Sequence, residues 1–189
     1  NKFGFNSFYK FRNECRNNKK MPIIGFFGFC DWWLNSTYFV WEGNLRIIKT
    51  NIKTKETNIF GKKTTFYKQP FASKIMIRRY KERNMKLLVK EKQKMSYING
   101  LFANKDFVGL LYGSYYKNLS AWKIFLQLYT PEGKFLKELI LPEVLVSTPY
   151  RPAPTYFFKK NKNMLYYMYH KLDKDLNDIY TIATYKIIK

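Results

Sequence analysis

Acidic residues are scarce in this chain. Only 13 Asp and Glu stand against 35 Lys and Arg in 189 residues, a formal net charge of +22. Histidine occurs once, at His170, and cysteine twice, at Cys15 and Cys30. These shortages remove whole classes of chemistry. With a single histidine, no Ser-His-Asp or Cys-His arrangement can be assembled from a choice of partners, and nothing in the spacing favours Cys15 or Cys30 beside His170. Two cysteines without a paired ligand spacing make no zinc motif, and no stretch resembles a Walker loop or a dinucleotide fingerprint. No cofactor or metal is implied. The most apolar run, Met21 to Leu34, is broken by Asp31 and is too short to span a bilayer, so no transmembrane segment is expected here. No signal peptide is visible. The first residue is Asn rather than Met, which leads us to expect a leader or an upstream region.

What the chain has in abundance is aromatic surface: 17 Phe, 16 Tyr and 4 Trp, 20% of all residues. Rings of that size suit pleated, half-buried surfaces, which points to strands. The apolar fraction of 46% fits a globular unit, and the length suits one domain over residues 1–189. The charge has two readings. A field of this sign attracts nucleic acid, anionic membrane or acidic partners. The Lys, Asn, Ile, Tyr and Phe content also matches an AT-rich coding sequence with a solvated basic surface, although that bias would raise Glu too. The second reading is preferred.

The most informative stretch runs from Asp106 to Leu141. Phe125, Gln127 and Tyr129 alternate with Leu126, Leu128 and Thr130, and after Thr130-Pro131-Glu132-Gly133 the residues Phe135 to Ile140 alternate again. Pro131 presets the backbone at the second turn position and Gly133 tolerates positive φ, so a β-hairpin is expected, preceded by a strand from Phe107 to Tyr112. The same logic predicts strands at Ile23 to Phe29, Tyr38 to Trp41, Leu45 to Ile52 and Thr57 to Phe60. Others are expected at Ser96 to Phe102, Thr155 to Lys159, Met164 to His170 and Asp178 to Ile188. Leu141 to Pro154, with four of the seven prolines, reads as an extended loop. Between Phe71 and Tyr97 there is neither Gly nor Pro, and SKIMIRRYKERNMKLLVKEKQKM is full of helix formers. A basic helix at about 74–95 is expected over a rival hairpin in which Met85, Leu87 and Val89 alternate with Lys86, Leu88 and Lys90.

Three times, from about Ile23, Ser96 and Thr155, a short strand leads through a turn to a longer aromatic strand, another turn and a further strand. A repeated up-and-down unit that cannot bury its own faces is the signature of a propeller blade. The expected fold class is therefore all-β, with propeller-type antiparallel blades forming a partial ring. The run LQLYTPEGKFLKELIL, together with NLRIIKTNIKTKETNIFGKK, KMSYINGLFANKDFVGLLYG and PTYFFKKNKNMLYYMYHKL, resembles the six-bladed, NHL-like β-propeller family of predicted lipoproteins of Bacteroides-type bacteria. That resemblance implies a C-terminal or partial stretch of a longer ring, an extracytoplasmic location, and a last blade completed by an N-terminal strand, for which Phe5 to Phe11 is the candidate. It carries no catalytic residues onto this chain.

The remaining constellations have ordinary explanations. Asp173, Asp175 and Asp178 form the one acidic cluster and read as a solvated turn; they lack the Gly and terminal Glu of an EF-hand loop. Gly25-Phe26-Phe27-Gly28-Phe29 resembles an RNA-binding aromatic box but breaks its alternation, and reads better as a glycine-interrupted inner strand. Trp32, Trp33, Trp41 and Trp122 are mostly assigned to core or blade-to-blade packing, with one exposed at the channel mouth able to stack on a sugar or base, and His170 to a structural place at a strand end. Arg78, Arg79, Lys81 and Arg83 would give the helix a basic face able to bind phosphate non-specifically, and so are the candidate anion-binding residues. The functional expectation is a non-catalytic propeller domain that binds or scaffolds an unknown protein or glycan ligand. The alternative is a basic binder of nucleic acid or anionic membrane.

Overall fold

The computed structural model describes residues 28–41, 44–68, 95–116, 121–141, 155–172 and 178–188, with 78, 81–84, 86, 87 and 90 between them. Eleven strands fall into three antiparallel sheets. The first sheet holds β1 (Gly28–Trp33), β2 (Ser36–Trp41), β3 (Ile47–Asn51) and β4 (Thr57–Phe60), hydrogen-bonded in chain order. The second holds β5 (Tyr97–Ala103), β6 (Val108–Tyr116), β7 (Ala121–Tyr129) and β8 (Phe135–Ile140), again in chain order. The third holds β9 (Thr155–Lys159), β10 (Met164–Leu172) and β11 (Asp178–Lys186), with β10 in the middle. Each is a meander, with only a few residues of chain between neighbouring strands, as the alternating runs require.

Turn chemistry places the strand ends. Thr130 N–H donates to the Lys134 carbonyl at 2.8 Å and Gly133 N–H to the Thr130 carbonyl at 2.9 Å. Gly133 takes the left-handed conformation, φ 95°, that the Pro-Glu-Gly sequence calls for. The first strand extends past its expected end at Phe29, and its expected start from Ile23 to Phe27 lies outside the described residues. The described strand, Gly28–Trp33, runs through Trp32 and Trp33, and Leu34 at φ 51° turns the chain tightly into β2. Residues 1–27, including Phe5 to Phe11 and Gly25 to Phe27, lie outside the described residues.

The continuous helix over 74–95 is corrected. Among the described residues, 78, 81, 86, 87 and 90 are helical, but Glu82 and Arg83 form a turn and Arg83 sits at φ 52°. Asn84 supplies the cause: its Oδ1 accepts the Leu87 N–H at 3.2 Å, an N-cap that starts a second helical piece. Helix propensity summed along the run did not reveal that local competition.

The three sheets stack face to face with the second in the middle. On one side Tyr38, Val40 and Ile47 of the first sheet meet Leu101, Leu110 and Phe125. On the other, Phe158, Leu165 and Tyr167 of the third sheet meet Phe102, Leu111 and Leu126. Every residue of β5 is buried. Two buried faces explain why β5 to β7 read as near-continuous apolar runs, whereas the edge strand β8 is largely exposed. Close approach is needed where Phe102 crosses β6: a β-carbon on Gly109 would collide with its ring. The Phe102 ring then stacks on Phe158 with centroids 4.0 Å apart.

The first strands of the three sheets also touch one another. Tyr156 of β9 donates its hydroxyl to the Leu101 carbonyl of β5 at 2.7 Å and accepts the Leu101 N–H at 3.0 Å. Asp31 of β1 accepts the Ala103 N–H at the end of β5 at 2.7 Å and pairs with Lys160, just past β9, at 2.7 Å. The Lys160 ammonium also donates to the Trp32 carbonyl at 2.7 Å. The ends of β1, β5 and β9 therefore converge on one carboxylate.

Candidate binding site

A basic cleft opens beside the seam between the first and second sheets. One wall is Asn44, Leu45 and Arg46, the loop that enters β3, and the other is Gly61 to Thr64 with Tyr67, the strap that leaves β4. It encloses about 410 Å³. Arg46, Lys62 and Lys63 line it, and among the described residues no carboxylate does. Leu45 anchors its loop by burying its side chain in the core. Gly61 lies against that loop at φ 152°, and a β-carbon there would strike the Leu45 carbonyl. The two walls meet at a glycine for a steric reason.

The strap is held from beneath by a polar network inside the second sheet. The Lys62 N–H donates to the Tyr129 hydroxyl at 2.8 Å, and the Lys62 carbonyl accepts from Gln127 Nε2 at 3.1 Å. Thr64 Oγ1 donates to Glu138 Oε2 at 3.0 Å. Tyr112 Oη and Gln127 Nε2 both donate to Glu138 Oε1, at 2.8 and 2.9 Å, and the Tyr129 hydroxyl donates to Gln127 Oε1. Gln127 is fully buried and every side-chain polar atom it has is used. Strand alternation built this cluster on the face turned to the first sheet: Gln127 of β7 lies directly opposite Glu138 of β8, and Tyr112 of β6, opposite Phe125, is the diagonal neighbour of Gln127.

Burial raises the Tyr112 phenol well above its ordinary value, and its hydrogen bond to Glu138 adds to the rise. Burial pushes Tyr129 up to about 12, against a lowering contact from the Lys62 backbone and with the Glu138 charge adding to the rise. Both phenols are therefore protonated donors throughout the physiological range. Glu138 spends its two oxygens on three donors, an arrangement that positions a strap rather than one that abstracts a proton. Aromatic packing continues the support: Tyr67 meets Tyr112 edge to face at 5.5 Å, and the Lys62 ammonium lies 4.1 Å from the centre of the Phe135 ring.

The residues singled out from the sequence lie elsewhere. Arg78 pairs with Glu82 at 2.7 Å on the exposed face of its helical piece, Lys81 and Arg83 are exposed, and Arg79 lies outside the described residues. None of the three described residues lines the cleft. His170 lies in β10 opposite Tyr180, and Asp178 opens β11, while Asp173, Asp175 and Cys15 lie outside the described residues. Cys30 is a free, exposed thiol. Trp41 is buried as expected, but Trp32 is exposed and faces the Lys160 ammonium at 5.1 Å. Among the described residues no group of three His, Cys, Asp or Glu is placed to hold a metal ion, and no helix is long and apolar enough to cross a membrane. From the sequence Arg46 falls inside the expected Leu45 to Ile52 strand, which begins at Ile47 instead, and Lys62, Lys63, Thr64 and Tyr67 carry no site role. The signal available was a Gly-Lys-Lys-Thr run directly after a strand, which becomes a site only when the β3 entry loop is folded beside it.

Comparison with protein-family models, with curated proteins and with solved structures finds no match to this chain.

Proposed function

We propose that the chain is a non-catalytic β-propeller-type domain that binds or scaffolds a ligand, its three sheets acting as successive blades. The observation that carries this reading is the convergence of β1, β5 and β9. Each is the first strand of a meander, each lies at the same edge of the stack, and their ends meet at Asp31. A radial array of meanders places its first strands about a common axis in this way. The open face of the third sheet agrees: Phe157, Tyr180 and Ile182 are all more than 60% exposed, the kind of face that a further blade covers. The polar groups beneath the cleft are saturated donors and acceptors, which suits binding better than turnover.

A test is to assay the purified protein for saturable binding against glycan, peptide and nucleotide panels, alongside ester, phosphate and glycoside substrates. Saturable binding without product formation is expected. Turnover that scales with protein and is abolished by a single substitution would refute a non-catalytic role. The second reading, a basic binder of nucleic acid or anionic membrane, draws support from the charge of +22. It demands affinity for oligonucleotides or anionic vesicles that falls steeply with salt. A flat salt response would dismiss it.

A further inference from the structure

We infer that the cleft between the β3 entry loop and the 61–67 strap takes a small phosphate ester carrying a planar ring, of nucleoside monophosphate type. The inference rests on the binding reading above and deepens it by naming a ligand class, and it is carried by the local geometry of the loop, the strap and the second-sheet residues beneath them.

Three observations carry it. First, the cleft has three cationic side chains, Arg46, Lys62 and Lys63, and no acidic one among the described residues of its walls. The nearby carboxylate, Glu138, is already engaged by Thr64, Tyr112 and Gln127, so its charge is spread over three donors instead of facing the cleft unpaired. Secondly, the strap is preorganised. Its backbone is fixed at Lys62 on both N–H and carbonyl, and at Thr64 through the side chain, by groups of the buried network. A site whose walls are already ordered loses less entropy on binding than a pair of free lysines on a surface would. Thirdly, Tyr67 forms part of the same wall, half-buried, with its ring held edge to face against Tyr112. An aromatic wall beside a cationic one fits a ligand with a π-face beside an anion, and base–aromatic stacking tolerates any base. A volume of about 410 Å³ lies within the range of small-molecule sites.

The experiment is isothermal titration at near-physiological salt with three probes: adenosine 5′-monophosphate, inorganic phosphate and adenosine. The monophosphate is expected to bind, inorganic phosphate to bind more weakly, and adenosine to give no measurable heat. Lys63→Gln, at an exposed side chain, should weaken the monophosphate about tenfold, the loss expected for one charge-assisted contact. Tyr67→Leu should abolish the preference for the monophosphate over inorganic phosphate while leaving phosphate binding in place. Lys162→Gln, an exposed lysine in the β9–β10 turn, is the charge-matched control and should change nothing. The proposal is overturned if Lys63→Gln binds as the parent does, if Lys162→Gln weakens binding as much, or if adenosine binds as well as its monophosphate. Circular dichroism of each variant confirms the fold. A folded protein that ignores all three probes but binds another ligand sinks this inference alone, whereas turnover of ligand sinks the non-catalytic reading alone.

Discussion

Replacing Asp31 with Ala removes the acceptor on which three sheets converge, and the structure says which of its contacts dominates. The carboxylate takes the Ala103 N–H on one oxygen and the Lys160 ammonium on the other, both at 2.7 Å. Ala103 is fully buried, so its amide cannot turn to water once Asp31 is gone. A buried donor left without a partner costs about 1–3 kcal/mol, and a bond to a charged acceptor lies at the upper part of that range. Lys160 differs. Its side chain is 30% exposed and can swing into solvent, so its pairing with Asp31 contributes about 1 kcal/mol or less. Asp31→Ala should therefore cost about 3 kcal/mol, Lys160→Met about 1 kcal/mol, and the double variant little more than Asp31→Ala alone. Asp31→Asn, which keeps an acceptor for the amide, should fall between the two single variants. Urea unfolding followed by fluorescence reads all four, with an unchanged m-value as the condition for comparing them. Equal losses for Asp31→Ala and Lys160→Met would show that the ion pair, not the buried amide, holds the strand ends together. Strict additivity in the double variant would show that the two side chains do not interact, and the argument for a shared joint would fail.

Other expectations follow from the same contacts. The Tyr129 phenol, at about 12 when folded against an ordinary value of 10, favours the folded state fully below pH ~10. That contribution, at most about 2–3 kcal/mol, is lost as pH rises through the window from ~10 to ~12. In an alkaline titration read by tyrosinate absorbance, Tyr112, Tyr129 and Tyr167, all raised by burial, should ionise only as the protein unfolds. A single normal wave for all 16 tyrosines would contradict the buried network. Gln127→Leu strands the Tyr129 hydroxyl, the Lys62 carbonyl and one bond to Glu138, and should cost about 2–4 kcal/mol while speeding amide exchange at Lys62. Unchanged exchange there would separate the strap from the network. Gly109→Ala should cost about 1–3 kcal/mol through collision with Phe102, measured as a lower urea midpoint. The open face of the third sheet should tolerate Ile182→Lys within about 0.5 kcal/mol of the parent. A large loss there would mean that something covers that face.

Much of the architecture was legible in the residues because strand signals are local. Period-two alternation with Pro131 and Gly133 between two runs leaves one arrangement for β7 and β8, and Thr57–Phe60 and Thr155–Lys159 have the expected bounds. The failures were local too. Trp32 and Trp33 belong to β1 because Leu34, an unlikely residue for positive φ, makes the turn that glycine would have announced. Asn84 starts a new helical piece within a run otherwise rich in helix formers. The cleft was not legible at all, since its cations come from segments separated by a whole hairpin.

Composition and alternation alone determined that this protein is all-β, basic and built of successive aromatic hairpins, because side-chain period and turn residues act over a few positions of chain. Only the tertiary structure decided that the second sheet lies between the other two, that Asp31 joins three strand ends, and that Lys62 is held over Gln127. Those facts depend on faces meeting at long sequence separation, where volume, burial and hydrogen-bond saturation select a partner that no local pattern names.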